Sequence, residues 1–290
     1  MREYVIVSDS TADLPVELVR DMGVVIVPFS YAIEQDVYQY CLDEKDDIEA
    51  FYDKLKKGAM PVTSQINPET YKEYFEKIAA EGKDILYLGF SSGLSGTYQA
   101  SQIAVSMIEE DYPDVNIMSV DSLSASVGQG AILYLAAQKK ADGMSIEDLH
   151  AWLMEKRHNV RHWFMVEDLF HLKRGGRVNT VEAMVGFALK IKLILSVDEE
   201  GKLVVKSKTR GVGKAVEYLV DKFAEEAFSI EDSVAVVGHA SAPDKAEKIK
   251  ESLLKKGVKE ENIIVAPIGP IIGTHVGAGM AAVAFLGNNS

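Results

Sequence analysis

The stretch Ile85-Leu86-Tyr87-Leu88-Gly89-Phe90-Ser91-Ser92-Gly93-Leu94-Ser95-Gly96-Thr97 sets the reading of the chain. Residues 85–90 are apolar without alternation, the pattern of a strand buried on both faces of a parallel sheet. The run ends in three serines and two further glycines, and a helix is predicted to begin near Thr97. A strand followed by a hydroxyl-rich loop and a helix N-terminus is the carboxyl edge of an α/β sheet, where ligands gather. The positive end of that helix would face a carboxylate or phosphate held in the loop.

Working outward, residues 4–7, 24–29 and 115–120 are similar short apolar runs and are predicted strands. Helices are predicted between and after them. Pro15 suits a first turn and Gly23 a stop, and Asn67-Pro68-Glu69 reads as an N-cap with Pro at N1 opening a helix to about residue 81. Two more helices are expected at 128–141 and 145–157. In the second half, residues 191–197 and 203–207 flank Asp198-Glu199-Glu200-Gly201 and read as an antiparallel hairpin. A helix at 213–227, a strand at 234–238, a helix at 244–256 and a strand at 263–268 follow. The apolar end at 280–286 fits helix or strand, because periodicity alone does not separate them. The fold class is therefore α/β, with two α/β domains. The N-terminal one carries a mostly parallel sheet and the C-terminal one a mixed sheet, with a ligand cleft between them. The boundary is placed at residues 160–161, giving domains 1–160 and 161–290.

The 290 residues carry a formal net charge of −13, which gives no electrostatic footprint for nucleic acid or anionic lipid surfaces. The single cysteine, Cys41, excludes an internal disulfide and a cysteine-based zinc site. No apolar run reaches the roughly 20 residues of a transmembrane helix. The N-terminus has no apolar leader segment, so a soluble cytoplasmic protein is expected. His150, His158 and His162 stand close in sequence, but with only Glu155 beside them they read as partly exposed histidines, not as a metal site. No metal or cofactor is expected.

Other segments share the polar character of the 91–97 loop. Ser8-Asp9-Ser10-Thr11-Ala12-Asp13 reads as a capped strand-to-helix turn or as part of a site. Pro61-Val62-Thr63-Ser64-Gln65 is a turn leading to the Asn67 cap or a source of hydroxyl donors. Gly273-Thr274-His275-Val276-Gly277 places a histidine beside a glycine-flanked turn, off any apolar helix face. There it can donate to a carboxylate and change that donation near neutral pH. Leu172-Lys173-Arg174-Gly175-Gly176-Arg177 is basic on an acidic chain, either a helix end or an anion contact.

Taken in order with Leu14-Pro15 after the first loop, these five motifs resemble the DegV family over about residues 3–287. The resemblance implies a two-domain α/β protein that holds a long-chain fatty acid, such as palmitate, in a buried apolar tunnel. It implies that Thr63 and Ser95 bind the carboxylate, with Ser64, Ser92, Thr97, Thr274 and His275 in support. Some family members resemble the carrier subunit of a fatty acid kinase. Arg174 and Arg177 are then expected near the exposed acyl head and a separate kinase subunit. Such a protein is a lipid-binding carrier in lipid transport or fatty acid metabolism, not an enzyme. The sequence departs from the family where Leu193 follows Lys192 in place of Pro, and where Ala278 replaces Pro after the histidine.

Two enzyme readings stand beside the carrier. Gly89-Phe90-Ser91-Ser92-Gly93 fits the Gly-x-Ser-x-Gly elbow of a serine esterase, with Asp121 and His275 following in the chain order of such hydrolases. Against it, 93–96 prolong the loop where a helix should start. A nucleotide-binding enzyme would use the same loop for phosphate, yet the lysine of a P-loop is missing.

Overall fold

The computed structural model describes residues 2–167, 169–178 and 191–288. The first half contains β1 (Tyr4–Asp9), α1 (Val16–Asp21), β2 (Val25–Val27), β3 (Phe29–Ile33), β4 (Asp36–Tyr40), α2 (Ile48–Lys56), β5 (Val62–Ser64), α3 (Pro68–Ala80), β6 (Asp84–Gly89), α4 (Thr97–Ile108), β7 (Ile117–Asp121), α5 (Val127–Ala141) and α6 (Ile146–Lys156). The second contains β8 (Val160–Val166), α7 (Phe170–Arg174), β9 (Ile191–Val197), β10 (Leu203–Arg210), α8 (Val212–Glu226), β11 (Ala235–His239), α9 (Pro243–Lys256), β12 (Ile263–Pro267), α10 (Pro270–Val276) and β13 (Ala281–Leu286).

The predicted apolar runs form a parallel sheet of order β2-β1-β6-β7. Every residue of β6 is buried, as a central strand covered on both faces requires. The second half forms a mixed sheet of order β10-β9-β8-β13-β11-β12, in which only β11 and β12 run parallel. The mixed α/β fold with its two main sheets is the one expected. The hairpin is present, with Asp198 Oδ1 accepting from Glu200 N and Lys202 N to shape its turn. Asn67 caps α3 by accepting from Thr70 N at 2.9 Å.

Several expectations are corrected. The run at 24–29 is two strands: β2 stops at Val27, and β3 begins at Phe29 in a separate antiparallel sheet of order β4-β3-β5. Pro28 lies at the break and has no N–H for the ladder. The supposed turn at 61–65 contains β5, which pairs with β3, and β4 on the other side of β3 was not anticipated. The end at 280–286 is a strand, placed between β8 and β11. β8 itself was missed, and with it the burial of His162, which is 6% exposed and not at the surface. His275 stands on a helix, α10, not in a loop.

One core joins the parallel sheet to one face of the mixed sheet through α5, which packs on β13, β11 and β8. A second core lies on the opposite face of the mixed sheet, where Phe223 and Leu219 of α8 meet Phe285 and Val283. No helix among the described residues is long and apolar enough to cross a membrane.

Candidate ligand-binding site

A cavity of 180 Å³ opens between the three-stranded sheet, the 91–97 loop, α10 and the inner face of the mixed sheet. Its lining is mostly apolar and includes Phe29, Phe90, Leu94, Phe164, Leu172, Ile271, Ile272, Val276 and Met280. The polar residues on it are Thr63, Gln65, Ser95, Ser126, His162, Arg177 and His275.

Thr63 reaches the cavity because strand side chains alternate: Val62 and Ser64 are exposed, and Thr63 between them is half-buried. Its Oγ1 lies 2.9 Å from Nε2 of His275, at the C-terminal end of α10. Gly175 presses on the other side of the ring, since a Cβ there would sit 2.3 Å from His275 Nδ1. Burial, with the positive charges of Arg177 and Arg174 and the neighbouring His171, lowers the His275 pKa to about 4. The imidazole is therefore neutral at pH 7 and does not titrate near neutrality, which corrects the expectation of a pH-responsive donor.

Ser95 sits just before α4, with Oγ 2.8 Å from Thr97 Oγ1 and accepting from Thr97 N at 3.3 Å. Arg177 extends over the same loop, donating from Nε to the Leu94 carbonyl at 3.3 Å and from Nη1 to the Gly175 carbonyl. Thr63, Ser95, His275 and Arg177 thus line one cavity.

The other named residues do not line it. Ser64 is exposed, and Ser92 gives its N–H to Asp121 Oδ1. Thr97 is buried behind Ser95. Thr274 donates to the Pro270 carbonyl one turn back in α10, which uses its proton inside the helix. Arg174 donates to the Pro61 carbonyl at 3.1 Å and so braces the start of β5.

Beneath the site the 8–13 loop is buried throughout. Asp9 accepts from Phe90 N at 3.0 Å and Thr11 N at 3.1 Å, fixing the exit of β6. Asp13 accepts from Gly269 N at 2.8 Å, at the start of α10, and from Ser126 Oγ at 2.6 Å. Ser126 lines the cavity with φ 54° and ψ −137°, a conformation unfavourable for a residue with a Cβ. Ser126 and His162 were not foreseen. The first is marked only by backbone geometry, and the second lies on the strand that the sequence reading missed.

The hydrolase arrangement is not assembled. Ser91 donates to the Gly201 carbonyl at 2.8 Å, Asp121 Oδ1 accepts from Ser92 N and Leu123 N, and His275 is paired with Thr63. The helix begins at Thr97, not directly after Ser91. No cluster of three or more potential metal ligands occurs among the described residues.

Fold and site define an α/β protein with a largely apolar cavity that carries hydroxyls, a neutral imidazole and a guanidinium. The chain belongs to the DegV family: residues 3–288 match the family described as "Uncharacterised protein, DegV family". A DegV domain-containing protein of Clostridium perfringens is 38% identical over 288 residues, covering 99% of each chain. The fold is similar to that of a DegV family protein of Thermus thermophilus described for its fatty acid binding (TM-score 0.87, 28% identity, 99% of this chain and 100% of that one). It is similar also to Bacillus subtilis DegV, described as a fatty acid binding protein (TM-score 0.84, 29% identity, 99% and 100%).

Proposed function

We propose that this chain binds a long-chain fatty acid as a cytoplasmic carrier, with the carboxylate held by Thr63 and Ser95 and supported by His275 and Arg177. The observation that carries this reading is the convergence of those four side chains, from four separate segments, on one mostly apolar cavity. Each methylene taken from water contributes about 0.8 kcal/mol, so such walls favour a long tail. A buried carboxylate is strongly penalised unless donors meet it, and hydroxyls with a nearby guanidinium supply them. The fatty acid binding described for the Thermus and Bacillus relatives supports the same ligand class. The division at residues 160–161 belongs to this proposal, since each main sheet is built almost entirely from one side of it.

At 180 Å³ the cavity is close to the ~150 Å³ that admits one benzene ring. A long acyl chain therefore enters only as wall side chains shift, and Met280, unbranched and adaptable, and half-buried Leu94 and Leu203 are the ones placed to do so. Chemistry on the acyl head is assigned to a separate kinase subunit, with Arg177 beside the head and Arg174 holding the start of β5, which carries Thr63.

The test is extraction of the purified protein with organic solvent, followed by mass spectrometry. Wild type is expected to yield fatty acid. The double variant T63V/S95A is expected to bind about a hundred-fold more weakly, from loss of two hydrogen bonds to a charged group. Empty wild-type protein, or undiminished retention by the double variant, would overturn the proposal.

A further inference from the structure

Gln65 stands at the mouth of the cavity, between the two segments whose hydroxyls are assigned to the carboxylate. It follows β5 directly, two residues after Thr63, and both side chains line the cavity. Residues two apart on an extended segment share a side, and Ser64 between them is exposed. Gln65 is exposed as well, so it borders the cavity on one side and solvent on the other. Its carboxamide lies on Gly96, the residue after Ser95: a Cβ there would sit 2.5 Å from Gln65 Oε1, 3.5 Å from Cδ and 3.7 Å from Nε2. The amide oxygen is therefore the atom against the loop, and the NH2 group is farther from it. That orientation suits the start of α4, whose positive end favours an oxygen. Nε2 has no hydrogen-bond partner among the described residues, which leaves its N–H donors for a ligand.

Gly96 has φ −72° and ψ 7°, a conformation open to residues with a Cβ, so its backbone gives no reason for glycine. The reason is the amide seated on it. A long polar side chain held in one place loses rotamer freedom, and a bonding partner has to offset that loss. A carboxylate entering between Thr63 and Ser95 supplies the acceptor, and hydrogen bonds to an ionised group are the strong ones. We propose that Gln65, seated on Gly96, is a further head-group contact that selects ionised fatty acids over their neutral alcohols and esters. The inference rests on the fatty-acid reading above and adds the residue that discriminates between head groups.

The experiment measures displacement of a fluorescent fatty acid from delipidated protein by stearic acid, at a pH where it is ionised, and by stearyl alcohol. Q65A is expected to weaken stearic acid about ten-fold, the low end for a hydrogen bond to a charged group, and to leave the alcohol within about two-fold. Q65E sets a like charge beside the carboxylate and should weaken the acid further, again sparing the alcohol. G96A pushes the carboxamide off its seat; the obstructed atom is the far end of a flexible side chain, so the fold need not shift. It should reproduce the Q65A loss in the wild-type background and add nothing in Q65A. Equal losses for acid and alcohol in Q65A would mean that the side chain only covers the mouth, and would overturn the proposal. Additive effects of G96A and Q65A would do the same. If stearic acid fails to bind wild type, the fatty-acid reading itself falls, and this inference with it. If stearic acid binds and T63V/S95A weakens it while Q65A does not, this inference alone is refuted.

Discussion

Asp13 is fully buried with φ 44°, and its two oxygens tie Ser126 on the cavity wall to the first turn of α10. Burial, outweighing both hydrogen bonds, raises its pKa from 3.8 to about 7. The folded state thus holds this proton more tightly than the unfolded chain. The associated stability is complete below about pH 4 and is lost as pH rises through 7. A shift of this size corresponds to at most about 4 kcal/mol. The uncharged variant D13N keeps an acceptor for Gly269 N–H and escapes that loss. Denaturant unfolding should show D13N gaining on wild type between pH 4.5 and pH 8, and a pH-independent difference would mean that Asp13 is not protonated in the fold. The sequence reading found Asp13 within a polar turn but not this role, because its partners lie 113 and 256 residues away. His275 shows the same limit. The sequence pointed to the residue, but its depressed pKa comes from burial and from charges on another segment.

At the level of elements, the close approach of α5 to β8 sets the position of the inner wall. Gly128 leaves space for the His162 ring, and alanine there would overlap Nε2 unless the ring moved. The steric conflict should destabilise by about 1–3 kcal/mol, offset in part by up to ~1 kcal/mol of improved helix propensity. In an H162A background the conflict is gone and only the helix gain remains. A double-mutant cycle in urea should therefore give a coupling of at least about 1 kcal/mol. Additive effects would show that the two elements do not constrain each other. The elements that were readable have one environment along their length, as β6 does, or carry explicit punctuation, as the Asn67 cap does. β8 was not readable because Val160-Arg161-His162-Trp163-Phe164-Met165-Val166 sets two polar residues in a central strand. Its inner face borders a cavity and not a plain core, so function disturbs the pattern that would reveal the strand. β5 is three residues long, too short for any periodicity, although its alternation is what turns Thr63 inward.

Across the whole molecule, the site joins residues 63, 95, 177 and 275, which no local pattern connects; their order along the chain, seen as a family resemblance, brought them together before the fold did. The resemblance did not separate Thr274 from its neighbour. Helix α10 does so, by closing the Thr274 hydroxyl on Pro270 and leaving His275 to meet Thr63. The cavity lies between the parallel-sheet half and the mixed sheet, and the contacts across it include Thr63 to His275 and Ser91 to Gly201. A ligand filling that space bridges both halves in the folded state and has nothing to grip in the unfolded chain. Linkage then gives about 2.7 kcal/mol of stabilisation when free ligand reaches 100 times Kd. For a chain of this size that is a rise of roughly 5 °C in Tm. Delipidated protein should accordingly melt below refilled protein, and the gap should widen with the logarithm of added fatty acid. A melting temperature indifferent to lipid would mean that the cavity does not bind it in the native state, even if extraction recovered some from the surface.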